Sequence, residues 1–182
     1  MKIDIARQPL VPAFMTLFAL AVAAMCAGIP VSDTSGAVRD ALPLLGGQLA
    51  RFQAAYPVWS KFAAGFMLLF TGMCAGRITI RYNLYTVGTC LPIPLYAIVA
   101  CGIATGGNYL AGFAASMLLS LVTKNYCRAF CNGYGFDAIF RASLYLGLMP
   151  LIYAPALPLL LLLPLAVLLF RRTLREVAVA TA

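Results

Sequence analysis

Residues 82–123 read YNLYTVGTCLPIPLYAIVACGIATGGNYLAGFAASMLLSLVT, and none of these 42 residues carries a charge. A helix that crosses a membrane needs about 20 apolar residues, so this stretch is too long for one crossing and fits two. Residues 105–107, Thr-Gly-Gly, supply a turn near its middle. The stretch therefore predicts a helical hairpin with spans over 84–104 and 108–123, followed by a polar connection from Lys124.

Two prolines, Pro92 and Pro94, fall inside the first span of this hairpin. A proline inside a helix has no amide proton for the backbone ladder, and its ring clashes with the preceding turn. We therefore expect the span 84–104 to be kinked, with freed carbonyl groups that neighbouring helices satisfy.

Four more apolar stretches flank the hairpin. Two precede it, at 10–29 and 58–76, and two follow it, at 136–153 and 156–170. The last two share one long uncharged run, residues 142–170, that prolines interrupt, which favours a turn near Tyr153. The whole chain is therefore predicted to be a single domain, residues 1–182: an all-α, polytopic transmembrane bundle of about six helices.

The basic residues predict how this bundle is oriented, because lysine and arginine concentrate on the cytoplasmic side of membrane proteins. With both chain ends in the cytoplasm, ten of the 13 basic residues fall inside and three fall outside, in or near a long outer loop over 31–57. The three outside are Arg39, Arg51 and Lys61, and the ten inside are Lys2, Arg7, Arg77, Arg81, Lys124, Arg128, Arg141, Arg171, Arg172 and Arg175.

The composition excludes several classes of protein. Hydrophobic residues make up 63% of the chain and charged residues 10%, whereas a soluble domain carries about 25% charged residues. The net charge of +8 is spread singly or in pairs between apolar runs, which indicates topology signals and no nucleic-acid partner. The expected partner is the lipid bilayer, and the expected location is a bacterial inner membrane.

The residue types also restrict the chemistry. The chain has no histidine, which excludes histidine-based acid/base catalysis and histidine-containing zinc sites. It has no phosphate-binding loop and no dinucleotide fingerprint, so we expect no cofactor and no metal.

Three sets of residues remain as candidate sites. Asp33 and Asp40 lie in the outer loop, either as solvated acids or as a general base or metal ligand facing a diphosphate. Asp137 and Arg141 are four residues apart, which favours a helical ion pair at the membrane interface; a role toward substrate is the alternative. The third set consists of small residues on helix faces that favour close packing, within the chain or between copies: Gly72, Gly76, Gly112, Ser116 and Ser120.

Residues 136–176, FDAIFRASLYLGLMPLIYAPALPLLLLLPLAVLLFRRTLRE, resemble a family of uncharacterised polytopic inner-membrane proteins of Gram-negative bacteria. Residues 81–99, RYNLYTVGTCLPIPLYAIV, resemble the same family. The first segment also looks distantly like the helix pair of GT-C-type membrane glycosyltransferases, in which a Gly-Leu dipeptide precedes a proline turn and a leucine-rich helix with a basic end. That resemblance implies sugar transfer from a polyprenyl-phosphate donor, with Asp33 or Asp40 as catalytic base.

Three functions are consistent with these features. The favoured one is a non-enzymatic component or scaffold of a cell-envelope complex, with a membrane-protein partner or further copies of the chain. The second is a GT-C-like glycosyltransferase or a degenerate relative. The third is a small transporter, because helices interrupted by proline build substrate sites in transporters. The apolar residues from Val177 onward would also suit a chain that continues past Ala182.

Overall fold

The structure is a computed structural model, and it describes residues 10–26, 44–82, 90–104, 108–131 and 136–162. All regular secondary structure in these ranges is helical, which confirms the predicted all-α class for them. The elements are α1 Leu10–Cys26, α2 Leu44–Ala55, α3 Pro57–Arg81, α4 Pro92–Ala104, α5 Tyr109–Cys131, α6 Phe136–Ile152 and a 3₁₀ helix Ala154–Leu161.

The helix α2 lies inside the region predicted to be the outer loop, so residues 44–55 of that region are helical; the position of 31–57 outside the membrane stays a prediction. One face of α2 packs against α3, α5 and α6. Gly46 and Gln53, seven residues apart, are its buried residues, as expected for one face of a helix. This packing stabilises a helix whose glycine pair gives it little intrinsic helix propensity.

The helix α3 contains the predicted span 58–76. It begins at Pro57, where the missing amide proton costs no hydrogen bond because the first helical amides have no partner in the helix. The preceding Tyr56 is held at φ −131° and ψ 72°, which separates α2 from α3. Among the described residues, α3 is the one helix whose length and apolar composition would allow it to cross a membrane. Its 25 residues extend about 37 Å.

The helix α4 corrects the prediction for the span 84–104. Pro92 and Pro94 do not kink a longer helix, because α4 begins at Pro92 and both rings lie in its first turn. Proline is tolerated there, since those amides lack partners in any helix. Residues 83–89 lie outside the described part of the chain.

The helix α5 begins as predicted for the span 108–123 but continues to Cys131, so the predicted polar connection from Lys124 is helical over most of its length. The added turns are stabilised by contact with α6, since Ala129 lies in one buried cluster with Ala138 and Ile139. The side-chain amide Nδ2 of Asn125 also donates to the Leu121 carbonyl of the same helix at 2.9 Å, a contact that is compatible with the helical backbone.

The helix α6 matches the predicted span 136–153 and ends at Ile152. The next residue, Tyr153, has an extended backbone at φ −139° and ψ 99°. The predicted break near Tyr153 therefore coincides with the end of α6. The predicted span 156–170 begins as a 3₁₀ helix, and residues 163–170 lie outside the described ranges. Ala156 of this 3₁₀ helix shares a buried cluster with Leu146 and Met149 of α6.

The consecutive helices α3, α4 and α5 alternate in direction. The N-terminal ends of α3 and α5 meet, because the hydroxyl groups of Ser60 and Tyr109 are 2.6 Å apart. These two helices are therefore parallel. The helix α4 runs the other way, since Ile93 at its start packs onto Gly76 near the end of α3.

Small side chains form the interior. Twelve of the 24 buried apolar residues in the described ranges are alanine, which lets helix backbones approach closely. Among the described aromatic side chains, nine are exposed and two, Tyr109 and Phe113, are buried, while the others are half-buried. The interior of the described bundle is therefore rich in small side chains, and its exterior is rich in large apolar ones.

Candidate functional site

Three polar side chains connect α2, α3 and α5 at one end of the bundle. We call Gln53, Ser60 and Tyr109 the polar junction; all three are buried, and Ser60 is 0% exposed. The Ser60 hydroxyl donates to the Pro57 carbonyl at 2.8 Å, so its single proton is used. Tyr109 is therefore the donor in the 2.6 Å contact between the two hydroxyl groups.

Gln53 completes the junction by binding the start of α5. Its Oε1 accepts a hydrogen bond from the backbone amide of Leu110 at 3.4 Å. The first amides of a helix have no acceptor within the helix, so this contact satisfies a group that would otherwise be costly to bury. The contacts of the three side chains fix the relative positions of α2, α3 and α5.

The first prediction concerns the Ser60–Tyr109 bond. Ser60→Ala should lower the free energy of unfolding by about 1 kcal/mol, because it leaves the Tyr109 hydroxyl buried without this acceptor. Tyr109→Phe should cost less, since Ser60 keeps its bond to Pro57. A double-mutant cycle in detergent micelles measures the coupling, and costs that simply add would contradict the bond. Thr123→Ala is the control, because that exposed hydroxyl bonds only within its own helix, to Leu119, at 2.9 Å.

The predicted packing residues differ in what they contact. A Cβ atom added to Gly72 would lie 2.7 Å from Cδ2 of Leu17, and one added to Gly76 would lie 2.5 Å from Cδ1 of Ile93. These two glycines therefore receive side chains from α1 and α4.

Of the predicted packing residues on α5, one makes a hydrogen bond to another helix. Ser116 is 3.1 Å from the hydroxyl of Tyr96, which joins α5 to α4. Ser120 donates to the Met117 carbonyl of its own helix at 2.8 Å, and Gly112 is half-buried. Packing between copies of the chain stays a prediction.

Asp137 and Arg141 form the ion pair that their spacing predicts. Arg141 Nε donates to Asp137 Oδ1 at 3.1 Å. The Arg141 side chain is 57% exposed and the Asp137 side chain is 64% exposed. Solvent screens a pair this exposed, so it contributes little stability. Its effect is to neutralise two charges at the start of α6.

Four other basic side chains lie together at the ends of α3 and α5. We call Arg77, Arg81, Lys124 and Arg128 the basic end; all four are exposed. Lys124 lies within electrostatic range of Cys74 on α3, as expected for two parallel neighbouring helices. Asp137 is the one carboxylate in the described ranges, and it forms an ion pair with Arg141. Within those ranges the basic end therefore has no carboxylate partner.

The candidate catalytic acids, Asp33 and Asp40, lie outside the described residues, so their role stays a prediction. No group of three histidine, cysteine, aspartate or glutamate residues able to hold a metal occurs in the part of the chain that the structure describes.

No pattern in the sequence predicts the polar junction. Ser60 and Tyr109 are 49 residues apart, and each is an ordinary residue in the first turn of its helix. Only the packing of α3 beside α5 brings them together.

A scan of protein-family models, a search of curated proteins and a search of solved structures each found no match to this chain. Its function therefore has to be inferred from the geometry and charge of its own residues.

Proposed function

We propose that this chain is a multi-pass protein of a bacterial inner membrane, a bundle of about six spanning helices that serves as a non-enzymatic component of a cell-envelope complex. The observation that carries the proposal is the placement of small residues inside and large apolar residues outside. Lipid tails are as apolar as leucine, so a membrane protein gains nothing by burying its large side chains and gains packing by burying small ones.

The outer face of α3 supports this proposal most directly. We call Trp59, Phe62, Phe66 and Phe70 the α3 stripe; all four are exposed and recur every three or four residues. The rings form two pairs along the helix, with centroids 6.5 Å apart for Trp59–Phe62 and 6.4 Å for Phe66–Phe70. Soluble monomers rarely expose a continuous apolar surface of this kind, whereas a bilayer covers it.

The charges at the two ends fit the same orientation. The basic end would lie in the cytoplasm, where positive residues concentrate. At the opposite end of α3, Trp59 and Lys61 have the aromatic ring and long basic chain that suit a membrane–water interface.

The absence of buried charge favours a structural role over transport. Within the described ranges the buried polar side chains are all uncharged: Gln53, Ser60, Thr71, Thr79 and Ser143. Proton and ion pathways through membranes are usually marked by buried ionisable residues. A structural role needs only the helix contacts already described.

Cysteine labelling tests the topology. With single cysteines in a cysteine-free background, Asn108→Cys and Ala154→Cys should react with a membrane-impermeant thiol reagent in spheroplasts. Tyr82→Cys and Arg128→Cys should react only in inverted vesicles, and Phe66→Cys should react in neither. Labelling of all four end positions from one side would contradict the alternation of spans. Extraction of the chain by alkaline carbonate would contradict membrane insertion itself.

A further inference from the structure

We infer that the basic end binds the phosphate of an anionic phospholipid, which bridges α3 and α5. This inference rests on the proposed membrane-spanning function, and it adds a ligand that the topology alone does not require.

The four basic residues lie at two levels along the axes of α3 and α5. Measured from the Ser60–Tyr109 contact at 1.5 Å per residue, Arg77 lies about 25 Å along α3 and Lys124 about 23 Å along α5. Arg81 and Arg128 lie about one turn further, at about 31 Å and 29 Å. Each level therefore pairs one cation from each helix, and the separation from the junction is close to the hydrocarbon thickness of about 30 Å.

The free carbonyl groups at the helix ends account for the positions of Arg81 and Arg128, the outer level, but not for those of Arg77 and Lys124. Arg81 and Arg128 lie in the last turns of α3 and α5, where positive side chains complement the free carbonyl groups. Arg77 and Lys124 lie a turn earlier, and that effect falls off within the last turn. Like charges four residues apart on a helix also repel, so all four benefit from a shared anion.

The surroundings favour a lipid over a soluble phosphate. Met73 lies one turn deeper than Arg77 on the same face of α3, and its side chain is exposed and apolar. An acyl chain would cover it while the phosphate contacts the cations above. A guanidinium group binds two phosphate oxygens at once, and the lysine adds a point charge from the other helix.

Native mass spectrometry of the delipidated full chain in detergent, titrated with phosphatidylglycerol, tests the site. R77Q/K124Q should weaken binding roughly 30-fold, from the usual contribution of basic residues at anionic surfaces. R51Q/K61Q removes the same two charge types at the other end and should leave binding unchanged. R77K/K124R keeps both charges and should retain most of the binding, which separates charge from loss of folding.

Three outcomes would overturn the lipid site. They are unchanged binding by R77Q/K124Q, equal binding of zwitterionic phosphatidylcholine, and displacement of the lipid by glycerol phosphate at the same concentration, which would indicate a soluble phosphate ligand. Carbonate extraction of the same preparation before solubilisation tests the membrane function separately. A chain that resists extraction and still fails the titration loses the lipid site alone.

Discussion

Replacing Phe66 by lysine is expected to prevent stable insertion of the chain, although the Phe66 side chain is 67% exposed. In a water-soluble protein, substitution at so exposed a site usually changes stability by less than about 0.5 kcal/mol. Phe66 lies near the middle of the predicted span 58–76, where a lysine facing hydrocarbon costs about 3 kcal/mol on insertion scales. The effect of Phe66→Lys therefore distinguishes a lipid-facing α3 stripe from a water-facing one.

Val58→Lys is the matched control for this substitution. Val58 is 63% exposed on the same helix, but it lies at the N-terminal end, beside Lys61. A lysine there reaches water by extending its side chain to the interface, so insertion should be retained. The measurement is the fraction of each variant in the carbonate-resistant membrane pellet. Equal fractions for the two variants would mean that the α3 stripe does not face lipid.

Local sequence was sufficient to predict the elements that begin and end at strong signals. The span 58–76 lies within α3 because an apolar run is bounded by Pro57 and by Arg77 and Arg81. The span 136–153 matches α6 to within a residue, because Pro155 lies just beyond its end. Hydrophobicity and helix breakers are both read one residue at a time, so no tertiary contact is needed to find them.

The helical segments that local sequence did not predict depend on contacts between distant residues. The helix α2 has two adjacent glycines and mixed polarity, and its packing against three other helices stabilises it. Residues 124–131 include two basic residues and an asparagine, yet they are helical because α6 packs beside them. The close approach at Gly72 and Gly76 was predictable from their spacing, but the partner residues Leu17 and Ile93 were not.

Gly76→Leu is expected to lower the free energy of unfolding by about 2 kcal/mol. The new Cβ atom alone would lie 2.5 Å from Cδ1 and 2.6 Å from Cγ1 of Ile93, so one of the two helices must move. Ile93 is 1% exposed, and its β-branched side chain has few alternative rotamers. Overpacking of this size costs about 3 kcal/mol, and removal of a helical glycine offsets about 1 kcal/mol of that.

Gly147→Leu provides the control, because a Cβ atom on Gly147 meets no other heavy atom within 4 Å. That variant should be unchanged or more stable by up to about 1 kcal/mol, since leucine has the higher helix propensity. Thermal unfolding of both variants in one detergent gives the comparison.

A second background identifies the cause of the loss at Gly76. If Ile93 is the obstruction, Gly76→Leu should cost much less in an Ile93→Ala chain, because the truncated side chain leaves room for the leucine. The same cost in both backgrounds would show that the clash is with another part of α4. That result would also contradict the packing of Ile93 onto Gly76, on which the antiparallel direction of α4 relative to α3 rests.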